Sequence, residues 1–190
     1  MNPITFQGDT GQRGAYLLWM RAREQASVTF GRFQGGRPVA IPPGWYVYVG
    51  SAMGPRGASA LAGRLLRHAT RTGDKPPHLI REAMEKTFAA AGLGIPSLRP
   101  PTLKSLHWHV DYLLDQTAIE LEHVTVIRTE TRIESVLARQ LAALPGASTL
   151  LKGLGAGDTP GETHLLRLID GKALLTDFAP SDELRALINA

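Results

Sequence analysis

The run Pro42-Pro43-Gly44-Trp45-Tyr46-Val47-Tyr48-Val49-Gly50 constrains this chain more than any other. Its two prolines and first glycine break whatever precedes them, because proline fixes φ and supplies no N–H. The residues that follow are aromatic, β-branched or glycine, the types that favour a strand. Along such a strand Trp45, Val47 and Val49 share one face, and Tyr46, Tyr48 and Gly50 the other. Gly14 to Met20 reads the same way, with Ala15, Leu17 and Trp19 opposed to Tyr16, Leu18 and Met20.

Around these two strands the sequence predicts others at 27–33, 106–114, 120–128 and 164–169. Gln34-Gly35-Gly36 ends the first, and Asp170-Gly171 turns the last into a hairpin towards Leu174-Leu175. One helix is expected from an N-cap at Ser59 to about Arg71, burying Leu61, Leu65, Leu66 and Ala69. A second spans 131–144 with Ile133, Val136, Leu137 and Leu141 inward, and Ser181 caps a short last helix over 181–189. Residues 72–105 read as an insertion: Gly73 and Pro76-Pro77 open it, 78–91 is helical, and 92–101 is irregular. It is expected to be a surface excursion from a single domain whose core spans about 14–175. Strands and helices mix without regular alternation, which predicts an α+β fold with a small, mainly antiparallel sheet flanked by helices.

At 190 residues, with 43% hydrophobic and 20% charged residues, the chain suits one well-buried domain. No stretch approaches the length of a membrane span, and the first residues lack the basic-then-apolar pattern of a secretory signal. There is no cysteine, hence no disulfide and no thiolate metal site, and a cytoplasmic setting is expected. The net charge of +4 is unevenly spread. Residues 1–104 carry 14 Lys/Arg against 5 Asp/Glu, and residues 105–190 carry 7 against 12. A basic front half suits a polyanion, or is simply a solvated surface.

Several side chains can carry chemistry. Tyr16 and Tyr48 fall on neighbouring strands, where aromatic pairs also pack as core. A catalytic tyrosine needs nearby positive charge to favour its ionised form, and Arg64 can supply it. Arg64, His68 and Arg71 form one stripe at helical spacing, either an ordinary wet face or a phosphate grip. Thr131-Arg132-Ile133-Glu134 fits a capping box, so Glu134 either closes its helix or holds a metal. If extended, His107, His109 and Asp111 line one face of a strand as metal ligands do, with His164 and Asp158 to complete the set.

Taken in order, these pieces resemble the GIY-YIG nuclease superfamily, and within it the small stand-alone Uri-type branch. Gly14-Ala15-Tyr16 matches the first signature and Tyr48-Val49-Gly50 the second, followed by Ser51-Ala52. Arg64-Leu65-Leu66-Arg67-His68 resembles the arginine helix, and Trp108-His109-Val110-Asp111-Tyr112-Leu113-Leu114 the branch's most distinctive run. Glu134-Ser135 with Leu137-Ala138 resembles the acidic helix, and Asp158 with Thr163-His164-Leu165 the closing motif. The likeness covers most of residues 14–166 outside the insertion. The chain departs from the pattern at Ala15, in the long gap between the two signatures, and at Thr159 and Gly161, which replace two cysteines.

The resemblance implies a divalent-metal-dependent endonuclease that hydrolyses phosphodiester bonds, with DNA as the expected partner. It implies that Tyr16 activates the attacking water, directly or through His68, and that Tyr48 positions it. Arg64 would cover phosphoryl charge, and Glu134 would hold Mg2+ or Mn2+. His109, Asp111 and His164 would shape the site, while Arg67 and Arg71 hold the nucleic-acid backbone. Two rivals stand beside this reading: a metallohydrolase built on His107, His109 and Asp111, and a nucleic-acid-binding module without catalysis.

Overall fold

The computed structural model describes residues 2–94, 104–154 and 163–189. Six strands form one sheet: β1 (Ile4–Gly8), β2 (Gly14–Ala22), β5 (Gly44–Ala52), β6 (Ile119–Arg128), β7 (Ala147–Thr149) and β8 (Leu165–Leu168). Their order is β1-β6-β2-β5-β8-β7, and every pairing is antiparallel except β1 with β6. Two short strands, β3 (Ala26–Val28) and β4 (Val39–Ile41), pair separately. The helices are α1 (Leu61–His68), α2 (Arg81–Ala90), α3 (His109–Leu114), α4 (Glu134–Ala142), α5 (Gly171–Asp177) and α6 (Asp182–Ile188). The fold is α+β with a mainly antiparallel sheet between helices, as the sequence predicts.

The alternation in the two central strands decides which helices lie where. Tyr16, Leu18, Met20, Tyr46 and Tyr48 pack into one core with buried residues of α1, α2 and α3. Ala15, Leu17, Trp19, Val47 and Val49 pack into a second core with α4 and α6. Both faces of the sheet are therefore covered, and both tyrosines lie on the α1 side.

Sequence and structure part company at several elements. The expected strand at 106–114 is helix α3, because Val110, Leu113 and Leu114 recur at helical spacing and all three are buried. Asp111 fixes the helix start by accepting the backbone N–H groups of His107 and Trp108 at 3.0 and 3.1 Å. The Asp170-Gly171 hairpin is absent. Asp170 instead caps α5, accepting from the Ala173 N–H at 3.1 Å. Ser59 caps nothing, since its hydroxyl donates to the Arg56 carbonyl and α1 begins after Ala60. The strand at 27–33 shrinks to Ala26–Val28, and Gly31, inside the expected span, adopts a positive φ of 56° that a strand does not use. Ser181 does cap α6.

The insertion is more than an excursion. Ile80, Met84, Phe88 and Leu93 are buried in the α1-side core, and Phe88 meets Phe6 of β1 edge to face at 6.2 Å. Strand β1, which has no strong alternating pattern of its own, is held between β6 and this helix.

Candidate active site

The Tyr16 ring lies across Gly50, its partner on β5. A Cβ at residue 50 would sit 2.5 Å from the phenol oxygen. Glycine is the residue that leaves room, which gives the Tyr-Val-Gly run a steric reason. Tyr16 and Tyr48 are 1% and 5% exposed, with ring centroids 6.4 Å apart. Burial first, then the neighbouring Tyr48, push the Tyr16 hydroxyl well above its ordinary range, and the Arg64 charge only partly offsets them. Arg64 favours the ionised phenol as expected, but it is outweighed, and Tyr16 keeps its proton at neutral pH.

That proton faces His68. The Tyr16 hydroxyl and His68 Nε2 are 2.9 Å apart. Burial lowers the imidazole pKa to about 4 despite its contact with Asp111, so His68 is neutral and Nε2 can accept from Tyr16. Asp111 lies behind the imidazole, its Oδ1 3.3 Å from His68 Nδ1 and 3.4 Å from Lys104 Nζ. Its Oδ2 accepts from Arg67 at 2.9 Å. Burial pushes the Asp111 carboxyl up, but its contacts with His68, the Lys104 charge and the His107 N–H outweigh this, and it lies far below the usual carboxylate range.

Arg64 and Glu134 come from opposite faces of the sheet and meet at Ser51, near the end of β5. From α1, Arg64 donates to the Ser51 carbonyl at 2.7 Å and to the Ala58 carbonyl at 2.8 Å, with its guanidinium 4.3 Å from the centre of the Trp108 ring. From the first turn of α4, Glu134 accepts the Ser51 hydroxyl through Oε2 and holds Oε1 3.2 Å from His164 Nδ1. The capping box is not made: α4 starts after Ile133 without a side-chain cap, and the carboxylate turns to Ser51 and His164. Burial raises the Glu134 carboxyl, yet His164, Ser51 and the Arg64 charge together bring it below its ordinary value.

The structure thus brings together Tyr16, Tyr48, Arg64, His68, Asp111, Glu134 and His164. It does not bring His107 and His109 to the same point. His109 stacks edge-on against Phe33 at 5.1 Å, and His107 against Trp108 at 4.9 Å. Because the run is helical, spacing of two does not place His107, His109 and Asp111 on one face. Among the described residues no group of three or more His, Asp or Glu is placed to hold a metal ion. Asp158, Thr159 and Gly161 lie outside the described residues.

Arg71 does not stand on the nucleic-acid-facing stripe expected of it. It is 5% exposed and bonds to the carbonyls of Pro76, Leu114 and Ile119, to His78 and to Glu120. It fastens the start of the insertion to β6 and presents nothing to a nucleic acid. Arg67, on the edge of the cluster, is tied to Asp111 and to the Ser105 carbonyl. Sequence reasoning missed Ser51, Trp108 and Lys104 as members of the site. Alternation along β5 puts the Ser51 side chain on the α4 face, a signal available once Glu134 is on the helix that covers that face.

Residues 15–183 match the family described as Domain of unknown function DUF123. The chain belongs to the DUF123 family. The match takes in every element from β2 to the start of α6, and so the whole cluster around Ser51. No curated protein and no solved structure matches the chain.

The Glu134 carboxylate fits the expected metal. It is a hard oxygen donor, 29% exposed at its side chain, and is oriented by a hydroxyl and an imidazole. Mg2+ commonly takes one or two carboxylates and fills its remaining positions with water and phosphate oxygens. No helix among the described residues is long and apolar enough to cross a membrane.

Proposed function

We propose that this DUF123 protein is a divalent-metal-dependent endonuclease of GIY-YIG type, hydrolysing phosphodiester bonds in nucleic acid, with DNA as the preferred substrate and the cytoplasm as its setting. One observation carries the reading: a guanidinium and a carboxylate converge on Ser51, beside a hydrogen-bonded tyrosine–histidine pair. Isolated tyrosines packed as core would need none of this.

Arg64 binds the scissile phosphate. Two of its nitrogens are held by carbonyls and its plane by Trp108, which leaves the second terminal nitrogen without a hydrogen-bond partner among the described residues. A guanidinium fixed in this way meets developing phosphoryl charge without reorganising. Glu134 would hold Mg2+ or Mn2+, which supplies charge to neutralise the leaving oxygen. Tyr16 takes a proton from the attacking water as its own proton passes to His68 Nε2, and the leaving oxygen draws a proton from solvent. Tyr48, beside both rings, orients the water. The basic front half holds the backbone without reading sequence.

The test is to incubate the purified protein with duplex, single-stranded and branched DNA and RNA in Mg2+, Mn2+ or chelator. Metal-dependent nicking that disappears in Arg64→Ala and Glu134→Ala supports the proposal. Salt-sensitive binding without cleavage in any divalent ion would leave a binding module instead.

A further inference from the structure

Among the described residues three buried side-chain atoms of the cluster lack a hydrogen-bond partner, Arg67 Nε, His68 Nδ1 and Asp111 Oδ1, and the last two lie 3.3 Å apart. His68 and Asp111 are both 0% exposed. Everything else around Asp111 is committed: Oδ2 takes Arg67 and two backbone N–H groups, and Lys104, with no exposed side-chain surface, stands 3.4 Å from Oδ1 while donating to the Thr70 carbonyl at 2.9 Å. A buried carboxylate facing an imidazole nitrogen, with a buried ammonium beside it, is costly unless that nitrogen carries a proton.

We infer that Asp111 is a positioning residue that locks His68 in the Nδ1–H form, leaving Nε2 bare to take the Tyr16 proton, and that Lys104 keeps Asp111 ionised for that task. The inference rests on the nuclease reading for its purpose, but not for its geometry. Asp111, His68 and Tyr16 form a line in which each group orients the next. When His68 becomes an imidazolium during water activation, the positive charge develops against a carboxylate already in place. Arg67 and the start of α3 hold the other carboxylate oxygen, so Asp111 cannot turn away. The distinctive Trp-His-X-Asp run then has a physical reason: its aspartate reaches back to its own helix start and forward to the histidine of α1.

Asp111→Asn discriminates. With the amide oxygen kept on the Arg67 side, the NH2 group would face His68 Nδ1 and force the Nε2–H form, which donates to Tyr16 instead of accepting. The expected result is a loss of kcat of about a thousandfold or more with KM nearly unchanged, as when a triad carboxylate is neutralised and the imidazole tautomer is wrong. Nitrogen-15 NMR of His68 should show a protonated Nδ1 and a bare Nε2 in the unaltered protein, and the reverse in Asp111→Asn. Should that variant fail to fold with Lys104 left unpaired, Asp111→Asn with Lys104→Met removes both charges and gives the same tautomer comparison. A wild-type His68 carrying its proton on Nε2, or a folded Asp111→Asn with wild-type kcat, would overturn the inference. Because the NMR reading needs no substrate, a correct tautomer in a protein that cleaves nothing would reject the nuclease reading alone.

Discussion

The ring of Tyr16 occupies the space where a side chain on Gly50 would be, with the phenol oxygen and Cζ both 2.5 Å from the missing Cβ. Gly50→Ala must therefore displace the phenol that bonds His68. Overpacking of this kind costs about 1–3 kcal/mol. We expect a lowered urea midpoint together with a loss of nicking larger than the stability change explains. An alanine variant as stable as the parent, read by urea denaturation, would contradict this packing.

Arg64→Lys keeps the charge but loses the planar fork that spans the Ser51 and Ala58 carbonyls and stacks on Trp108. Its nicking rate should fall by about a hundredfold or more, as when one transition-state charge stabiliser is removed. Substrate affinity measured by anisotropy in chelator should change little. A lysine variant of undiminished rate would mean that bulk charge suffices.

Glu134→Gln retains the shape and a hydrogen bond to Ser51 while removing the anionic oxygen donor. Nicking should stop responding to Mg2+ up to concentrations far above those that saturate the parent. Direct Mn2+ titration followed by electron paramagnetic resonance should show the bound fraction reduced. Equal Mn2+ uptake by the two proteins would move the cation elsewhere.

Stability should decline in mild acid. In the unfolded chain His68 takes its proton near the ordinary 6.5, whereas in the fold burial withholds it until about 4. The unfolded state thus binds the extra proton between those values. The contribution is complete above pH 6.5 and is lost as pH falls towards 4, a change on the order of 3 kcal/mol for this one group. His123, likewise lowered by burial to about 4, adds in the same direction. Urea midpoints at pH 7.5, 5.5 and 4.5 should fall in that order, and a flat series would show that these imidazoles are not held neutral.

Arg71→Met should be felt in folding and not in binding. Removing one partner of a buried ion pair leaves Glu120 unpaired beside His78, at a cost of about 3–5 kcal/mol. The salt dependence of DNA affinity should keep its slope, because no phosphate contact is lost. A shallower slope in a folded Arg71→Met protein would return this arginine to the nucleic-acid surface.

The central strands were legible because their alternation is complete: each odd and even side chain from Ala15 to Met20 falls in the core its parity assigns. Tyr16, Arg64, His68 and Glu134 were legible as a set through their residue types and order. Periodicity misled at His107-Trp108-His109-Val110-Asp111, where polar residues at spacing two imitate a strand while Val110, Leu113 and Leu114 require a helix. Asp170-Gly171 misled because the same dipeptide serves a hairpin turn or a helix cap, and only the packing of Gly171 against Trp45 decides. The burial of Arg71 was invisible, since its partners lie on α3, β6 and the insertion, up to 49 positions away. Ser51 acquires meaning only when helices from both sides of the sheet reach it.

That last residue divides its two functions between main chain and side chain. Its carbonyl holds the guanidinium and its hydroxyl holds the carboxylate, so truncating the side chain would free Glu134 and leave the Arg64 contact in place. Paired with Ala15 in the middle of the sheet, this one position ties a helix on each face to the same rigid strand.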